Sequence, residues 1–333
     1  MSDRANVISI SGGKDSTTTA LKAVDEGAEN LTFCFADTGH EHPDTYEYVD
    51  YLDGLFKPRV GVGVTTVRAD FTAQIYKKRE TVKTKWPQDG LPDEQIEQAL
   101  EVLQPTGVPF LDLCLVKGRF PSSKVRFCTS DLKSKPIQNQ ITEPLMQKHR
   151  AVISWQGIRA DESQSRSKMP MHDVELGQWE PEPAGLLVYR PLIDWAAADV
   201  FDYQRERGVL PNPLYKQGMS RVGCMPCIFA NKGELAEIAK RFPEAFEKLE
   251  QWESLVAKAS KRGGATFFGP NKTPGHTTGE TEENPNKHYG AQAVKDWAKT
   301  SHGGRQFDLI AEVESQEAAE DTPACSSVYG LCE

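Results

Sequence analysis

The stretch Ser11-Gly12-Gly13-Lys14-Asp15-Ser16, the Gly-rich loop, decides the fold because it joins a short apolar run to a helical pattern. The run from Asn6 to Ile10 predicts a buried strand, and the apolar spacing from Ser16 to Glu26 predicts a helix. The glycines allow a sharp turn, and the first N–H groups of the helix point toward a bound anion. Strand, loop and helix in this order predict a phosphate-binding site.

The alternation of strand and helix continues downstream of this loop. Apolar runs at residues 31–36 and 63–67 predict two more strands, and a helical pattern at residues 43–55 lies between them. Residues 151–156 and 186–189 predict further strands. Strands that alternate with helices at this spacing build βαβ units. The sequence therefore predicts an α/β fold with a parallel sheet of five or six strands, flanked by helices.

Length and composition limit the classes to which the chain can belong. Its 333 residues suffice for one large domain with an extension. We expect a nucleotide-binding catalytic domain at residues 1–230 with an insertion at about 78–127. A helical, loop-rich extension with a cysteine-containing tail follows at residues 231–333. The net charge of −9 argues against a uniformly basic nucleic-acid binder. Because no apolar run is long enough to span a membrane and no secretory signal is visible, we expect a cytoplasmic protein without a membrane partner.

Two further polar elements each follow a predicted strand. Asp37-Thr38-Gly39-His40-Glu41 comes after the second strand, and Gly157-Ile158-Arg159-Ala160-Asp161-Glu162-Ser163 comes after the strand at residues 151–156. Because ligands bind at the carboxyl ends of the strands in open α/β sheets, these elements and the Gly-rich loop are expected at one site. Arg159 and the nearby Arg166 suit bidentate binding of a phosphate or sulfate group.

The Gly-rich loop resembles the PP-loop of the ATP pyrophosphatase superfamily, and it has neither Walker spacing nor the dinucleotide-binding glycine pattern. The elements at residues 37–43 and 157–166 resemble signatures of the phosphoadenosine phosphosulfate (PAPS) reductase-like branch. This resemblance covers about residues 6–230 and implies an adenine nucleotide α-hydrolase-like fold. It implies catalytic roles for Lys14, Asp15 and Ser16. It implies nucleotide binding by Ser11, Gly12, Gly13, Lys14, Asp15, Ser16, Thr17, Asp37, Thr38, Gly39, Gly157, Arg159, Glu162, Ser163 and Arg166.

Two of the seven cysteines, Cys224 and Cys227, have a CxxC spacing that suits zinc, an iron–sulfur cluster or a redox pair. Cys128 lies close before a predicted helix. In the PAPS reductase-like branch, a cysteine at this place and a distant CxxC often hold a [4Fe-4S] cluster, so the resemblance assigns all three to a cluster. The family's adjacent cysteine pair is absent here, and Cys332, Cys325 or no residue completes the site. Iron with visible absorbance would support the cluster, whereas stoichiometric zinc would support the alternative.

Three functions are compatible with this pattern. The first is an ATP- and Mg²⁺-dependent enzyme that attaches AMP to an acceptor and releases pyrophosphate. The sulfur-incorporating subunits of DNA phosphorothioation systems are its clearest relatives, which implies sulfur transfer to a nucleic acid and a cysteine desulfurase or other sulfur donor as partner. The second is a reductase of PAPS or adenosine phosphosulfate (APS). The third is a non-catalytic nucleotide-binding accessory protein.

The loop and the tail discriminate between the first two functions. Sulfonucleotide reductases usually have a degenerate loop and a Glu-Cys-Gly-Leu-His tail, whereas this chain keeps Lys14-Asp15 and ends in Tyr329-Gly330-Leu331-Cys332-Glu333. We therefore favour ATP cleavage. A local basic stretch either contacts a nucleic-acid backbone or is a solvated face, and it contains Lys117, Arg119, Lys124, Arg126, Lys133 and Lys135.

Overall fold

The computed structural model of the protein describes residues 3–269 and 290–300, and the chain divides into two compact units. The first unit comprises Met1–Ala69, Thr129–Tyr215 and Arg221–Cys224. The second comprises Asp70–Cys128, Lys216–Ser220 and the chain from Met225 onward. The domain boundary near residue 230 stays a prediction. Cys325 and Cys332, which were considered as metal ligands, lie outside the described residues.

The first unit is built on a six-stranded sheet in the order β3-β2-β1-β4-β6-β5. Neighbouring strands are parallel except β5, which runs antiparallel to β6. The strands are β1 (Arg4–Ile10), β2 (Leu31–Asp37), β3 (Val64–Arg68), β4 (Ala151–Trp155), β5 (His172–Gln178) and β6 (Ala184–Tyr189). The predicted α/β fold is confirmed. The edge strand β5 was not predicted, because its residues are mostly exposed and carry no apolar run.

The structure contains more helices than the sequence predicted. They are α1 (Lys14–Asp25), α2 (Pro43–Val60), α3 (Thr72–Lys85), α4 (Asp93–Val102), α5 (Pro109–Lys117), α6 (Ala197–Glu206), α7 (Lys232–Arg241), α8 (Pro243–Lys258) and α9 (Ala291–Ala298). The expected insertion at 78–127 thus contains regular helices. Between residues 130 and 146, π turns alternate with short α turns. Pro136 and Pro144 lie in this segment, and each lacks the N–H that a regular α-helical ladder requires.

Alternating side chains of β1 face two different cores of the first unit. Ile8 and Ile10 pack in a cluster with residues of α1 and α2, whereas Val7 packs in a second cluster. Ile137 and Ile141 of the irregular helical segment cover that second cluster. The period of two in the strand therefore places helices on both faces of the sheet. Across residues 3–269 and 290–300, every helix is too short or too polar to cross a lipid bilayer.

A buried carboxyl group links three segments of the second unit. Glu253 of α8 is 2% exposed and accepts hydrogen bonds from the backbone N–H groups of Phe267, at 2.7 Å, and Ala291, at 2.9 Å. Burial raises the pKa of Glu253 to about 7, although the two N–H groups favour the charged form and oppose this shift. The side chain therefore connects α8 to residue 267 and to the first residue of α9, and it titrates near neutral pH.

The titration of Glu253 predicts a loss of stability as the pH rises. The folded protein keeps this proton up to about pH 7, whereas the unfolded chain releases it near 4.5. The stabilisation is complete below the unfolded pKa and disappears as the pH passes the folded pKa. From pH 4.5 to above pH 7 we expect wild-type stability to fall, relative to Glu253→Gln, by about 3 kcal/mol. Urea unfolding at several pH values measures this difference, with Glu247→Gln on the same helix as the control. A pH-independent difference between wild type and Glu253→Gln would contradict the prediction.

Candidate active site

The elements predicted to bind a nucleotide meet at one edge of the sheet in the first unit. The Gly-rich loop follows β1, the turn at residues 37–41 follows β2, and the segment at residues 156–166 follows β4. These three strands are parallel neighbours, since β1 pairs with both β2 and β4. Their carboxyl ends therefore lie side by side, which is where ligands bind in open α/β sheets.

The Gly-rich loop is closed by its own hydroxyl groups. The Ser16 hydroxyl donates to the carbonyl oxygen of Gly13 at 2.9 Å and accepts from the N–H of Ser11 at 3.1 Å. The Thr17 hydroxyl donates to the same carbonyl at 3.1 Å. Gly12 has a φ of 75°, and a Cβ there would lie 2.7 Å from Cγ2 of Thr45. Both the backbone angle and the close contact therefore require glycine at residue 12.

Asp15 lies between two cations at the start of α1. Its carboxylate contacts the ammonium group of Lys14 at 3.2 Å and forms an ion pair with the Arg159 guanidinium. Arg159 also bonds to Asp161, with 3.0 Å between Nε and Oδ1. Burial alone would lower the pKa of Arg159, but the Asp15 and Asp161 carboxylates raise it above its ordinary value. The loop after β1 is thus joined by charge to the segment after β4.

Gly157 lets that segment approach the first turn of α1. A Cβ at residue 157 would lie 2.8 Å from the backbone C and O atoms of Asp15 and 2.9 Å from the Thr19 hydroxyl. No larger residue fits without a backbone shift, because two of the three atoms belong to the main chain. Glycine at residue 157 therefore permits the ion pair between Arg159 and Asp15.

The turn after β2 is held by two carboxylates. Asp37 accepts hydrogen bonds from the N–H of Gly39 at 2.8 Å and from the Tyr46 hydroxyl at 2.7 Å. Glu41 is 6% exposed and accepts from both the N–H and the hydroxyl of Thr38, at 3.1 and 2.7 Å. Burial and the carboxylates of Glu41 and Asp37 raise the pKa of Tyr46 well above its ordinary value, so its hydroxyl stays a donor. These contacts fix the turn beside the Gly-rich loop.

Sequence reasoning assigned no role to Glu41, although a signal was present. Thr38 and Glu41 are three residues apart, which is the Thr-x-x-Glu spacing of reciprocal side-chain and backbone bonding. This spacing normally marks the start of a helix, whereas here it lies in a turn. Sequence reasoning also missed Gln204, Asn212 and Tyr215, whose side chains contact the backbone of the Gly-rich loop. They had no local signal, because the contact joins residues far apart in sequence.

Arg166 is also paired with an acidic residue of its own segment. It forms an ion pair with Glu162, and Glu162 in turn accepts the N–H of Arg159 at 3.1 Å. Burial raises the pKa of Glu162, but the N–H of Arg159 and the Arg166 guanidinium outweigh it and lower the pKa below its ordinary value. Ser163 is exposed and lies 3.0 Å from the Ser165 hydroxyl. Each predicted anion-binding arginine therefore already has an internal counterion.

The predicted metal ligands fall in both units. Cys224 belongs to the first unit, where its sulfur lies 3.5 Å from the Thr38 hydroxyl and 3.6 Å from Oε1 of Glu41. Cys128 and Cys227 belong to the second unit. Within residues 3–269 and 290–300, no group of three or more His, Cys, Asp or Glu side chains is placed to hold a metal ion. The described residues thus do not fit a cluster as they stand, and the ligand set stays a prediction.

Comparison with known proteins adds a family match to this geometry. Residues 5–230 match the family described as "Phosphoadenosine phosphosulfate reductase domain". The chain is 46% identical over 341 residues to the "Uncharacterized 37.8 kDa protein in gpa 5'region" of Escherichia phage 186, covering 98% of this chain and 96% of that protein. It is 28% identical over 196 residues to an adenosine 5'-phosphosulfate reductase of Salinibacter ruber, covering 59% of this chain and 57% of the reductase. The chain thus spans nearly all of the phage protein and little more than half of the reductase.

A solved structure is similar over a comparable part of the chain. The PAPS reductase of Candida auris, crystallised as a phosphate complex, is 18% identical, with a TM-score of 0.37. The similarity covers 67% of this chain and 82% of the reductase.

The close approach of Gly157 predicts the effect of adding one methyl group. In Gly157→Ala, the Cβ meets backbone atoms of Asp15, so we expect a loss of about 1–3 kcal/mol in the free energy of unfolding. Gly54→Ala is the control, because Gly54 lies within α2 and a Cβ there meets nothing within 4 Å. That variant should be as stable as wild type or more stable, by up to about 1 kcal/mol. Chemical denaturation measures both, and equal stability of Gly157→Ala and wild type would refute the packing argument.

Proposed function

Because the chain belongs to the phosphoadenosine phosphosulfate reductase domain family, whose members bind nucleotides, we propose that it cleaves ATP to AMP and pyrophosphate to activate an acceptor. The observation that carries this proposal is the place of Asp15, between Lys14 and Arg159 at the start of α1. A free carboxylate beside a bound polyphosphate is repelled unless a cation lies between them. ATP enters such sites with Mg²⁺, so the carboxylate favours ATP over a ligand without metal.

The donor set of the loop fits Mg²⁺. This ion is typically held by one or two carboxylates together with substrate phosphates and water, rather than by a full protein cage. Asp15 supplies one carboxylate at the loop, and the triphosphate supplies the other oxygens. The ion, when bound, neutralises charge that develops on the phosphates. Asp15 is the residue of the loop that would contact it.

The remaining residues of the loop have separate roles in the proposed reaction. An oxygen of the acceptor attacks the α-phosphorus, the bond from that phosphorus to the bridging oxygen breaks, and pyrophosphate leaves. The acceptor oxygen loses its proton to solvent and becomes bonded to AMP. The ammonium of Lys14 offsets negative charge on the leaving pyrophosphate. Arg159 and Arg166 bind phosphate oxygens once these replace their internal carboxylate partners. The acceptor-bound AMP is then a good leaving group for a sulfur nucleophile, which a separate sulfur donor such as a cysteine desulfurase delivers.

A second function, reduction of APS or PAPS, is favoured by the relatives that carry that name. The adenosine 5'-phosphosulfate reductase of Salinibacter ruber shares 28% identity with this chain. In that reaction a cysteine thiolate attacks the sulfur, AMP or adenosine bisphosphate leaves, and an external thiol reductant then releases sulfite. No polyphosphate is cleaved, and the ligand brings no metal ion to Asp15. Neither reaction has a step on the [4Fe-4S] cluster, or the zinc in its place, that the sequence predicts.

The acceptor that we propose is a nucleic acid, and a loop of the second unit supports this choice. Lys117, Arg119, Lys124 and Arg126 are exposed, and residues 117–126 contain no acidic side chain. The Arg126 guanidinium lies 4.7 Å from the centre of the Phe229 ring. Cations that are ordered on aromatic rings lose less side-chain entropy when they bind a phosphate backbone. We name these four residues the basic loop.

Pyrophosphate release tests the role of Asp15. We expect the wild-type protein to release pyrophosphate from ATP and Mg²⁺ when its acceptor is present, and Asp15→Asn to lower this rate by about 100-fold or more. Asp161→Asn is the matched control, since it removes the other carboxylate that contacts Arg159 but leaves the loop intact. The same variants are assayed for sulfite formation from APS and PAPS with thioredoxin. Sulfite formation without pyrophosphate release, unaffected or improved by Asp15→Asn, would establish the reductase instead.

Salt-dependent binding tests the nucleic-acid proposal. The double variant Arg119→Gln and Lys124→Gln removes two cations of the basic loop. The negative slope of log affinity against log salt should become shallower by about 0.7 per cation on a single strand. Removing two exposed cations elsewhere, Lys57→Gln with Arg205→Gln, changes the net charge equally and serves as the control. Fluorescence anisotropy with labelled DNA and RNA oligonucleotides measures both. Equal binding by the two double variants would exclude the basic loop as the binding surface.

A further inference from the structure

Three side chains contact the backbone of the Gly-rich loop from a distant part of the first unit. Gln204, Asn212 and Tyr215 lie 190 to 201 residues downstream of the loop residues that they contact. Gln204 belongs to α6, and the other two follow it. Each of the three is 1% exposed. The proposed reaction gives them no role, because they belong to none of the elements predicted to bind the nucleotide.

Their hydrogen bonds cover the backbone at both ends of the turn. The Tyr215 hydroxyl accepts the N–H of Lys14 at 2.8 Å. The Gln204 amide donates to the carbonyl oxygen of Lys14, also at 2.8 Å, and the Asn212 amide donates to the carbonyl oxygen of Gly12 at 3.2 Å. Side chains therefore bond the N–H of Lys14 and the carbonyl oxygens of Gly12 and Lys14, at a place where the sheet ladder has ended at residue 10 and the first N–H groups of the helix have no helical acceptor.

The three side chains are themselves held in place. The ring of Tyr215 packs edge-on against Phe201, with 5.3 Å between ring centres. The Asn212 side chain accepts the N–H of Leu214 at 3.0 Å. The Gln204 amide also donates to the Thr18 hydroxyl at 2.8 Å, which ties α6 to α1. These bonds and this packing restrain all three side chains.

The burial of Gln204 indicates that the hydrogen bonds donated by its amide nitrogen stabilise this arrangement. Within the described part of the chain its amide oxygen has no hydrogen-bond partner. An unsatisfied buried acceptor costs about 1–3 kcal/mol, and an apolar side chain of similar size would avoid this. The two bonds made by its amide nitrogen, one to the loop and one to α1, are the gain that offsets this cost.

We propose that Gln204, Asn212 and Tyr215 form a brace that fixes the Gly-rich loop in its ligand-binding conformation. Tyr215 is then a positioning residue, and the inference rests on the proposed nucleotide-binding role of the loop. Tyr215 also determines which N–H groups serve the ligand. It occupies the N–H of Lys14, so the N–H groups of Asp15 and Ser16 are the next donors of the helix start. Loss of the Tyr215 hydroxyl releases the loop without removing any group that contacts a nucleotide.

Hydrogen exchange of the ligand-free protein tests the brace without reference to any reaction. Tyr215→Phe removes one oxygen and leaves the ring in place. We expect faster amide exchange at residues 12–16 than in wild type, because the N–H of Lys14 loses its acceptor. Tyr203→Phe is the matched control, since its hydroxyl bonds Asp25 at 2.6 Å, away from the loop. Unchanged exchange at residues 12–16 in Tyr215→Phe would overturn the brace, even if the protein proves to bind no nucleotide.

Nucleotide binding gives the second readout. Calorimetric titration with ATP and Mg²⁺, with APS and with inorganic pyrophosphate should show dissociation constants about tenfold higher for Tyr215→Phe than for wild type. Tyr203→Phe should bind as wild type does. Should Tyr215→Phe not fold, Gln204→Met removes a different part of the brace at similar volume and should show the same two effects. If a variant showed faster amide exchange in the loop but bound nucleotide with wild-type affinity, the link between the brace and nucleotide binding would be refuted. Absence of binding by wild type would refute the proposed function alone.

Discussion

The ion pair between Asp15 and Arg159 is the interaction on which the arrangement of the site depends. It joins the loop after β1 to the segment after β4, two elements that adjacent parallel strands bring to one edge but that nothing in the sheet itself connects. Arg159 is 4% exposed, and a buried guanidinium without a partner is unstable. The position of Arg159 therefore fixes that of Asp15, and Gly157 is the residue that makes the approach sterically possible.

This pairing changes how a ligand must bind. The arginines that the sequence marked as anion-binding groups are already neutralised by Asp15, Asp161 and Glu162. Binding of a phosphate is consequently an exchange of counterions rather than the filling of a positive cavity. Such an exchange leaves a carboxylate without its cation, and the free energy of binding includes that cost. A ligand that brings its own cation offsets it, which is why the charge distribution of the site supports the proposal of ATP with Mg²⁺.

Much of the fold could be predicted from sequence because its signals are local. The apolar runs of β1 and β2 and the glycines between β1 and α1 each lie within a few residues of one another, and the structure has them where the pattern places them. Edge strand β5 has no such signal, because its residues are mostly exposed and need not alternate between apolar and polar side chains. The contacts of Glu41 were missed for a different reason, because a spacing typical of helix starts here closes a turn. The roles of Tyr215 and Asn212 could not be predicted from the sequence, since a hydrogen bond between residues about 200 positions apart produces no local sequence pattern.

The distance in sequence between the loop and its brace has a consequence for the growing chain. Domains assemble as the polypeptide leaves the ribosome, from the amino terminus onward. The Gly-rich loop is synthesised before its backbone partners at residues 204–215, which follow the loop residues that they contact by 190 to 201 residues. The neighbour of β1 on its other side, β4, is also synthesised well after the loop. A truncated chain that ends before residue 204 therefore contains the whole Gly-rich loop and still lacks the side chains that contact its backbone, so under the proposal the loop is braced only once residues 204–215 have been synthesised.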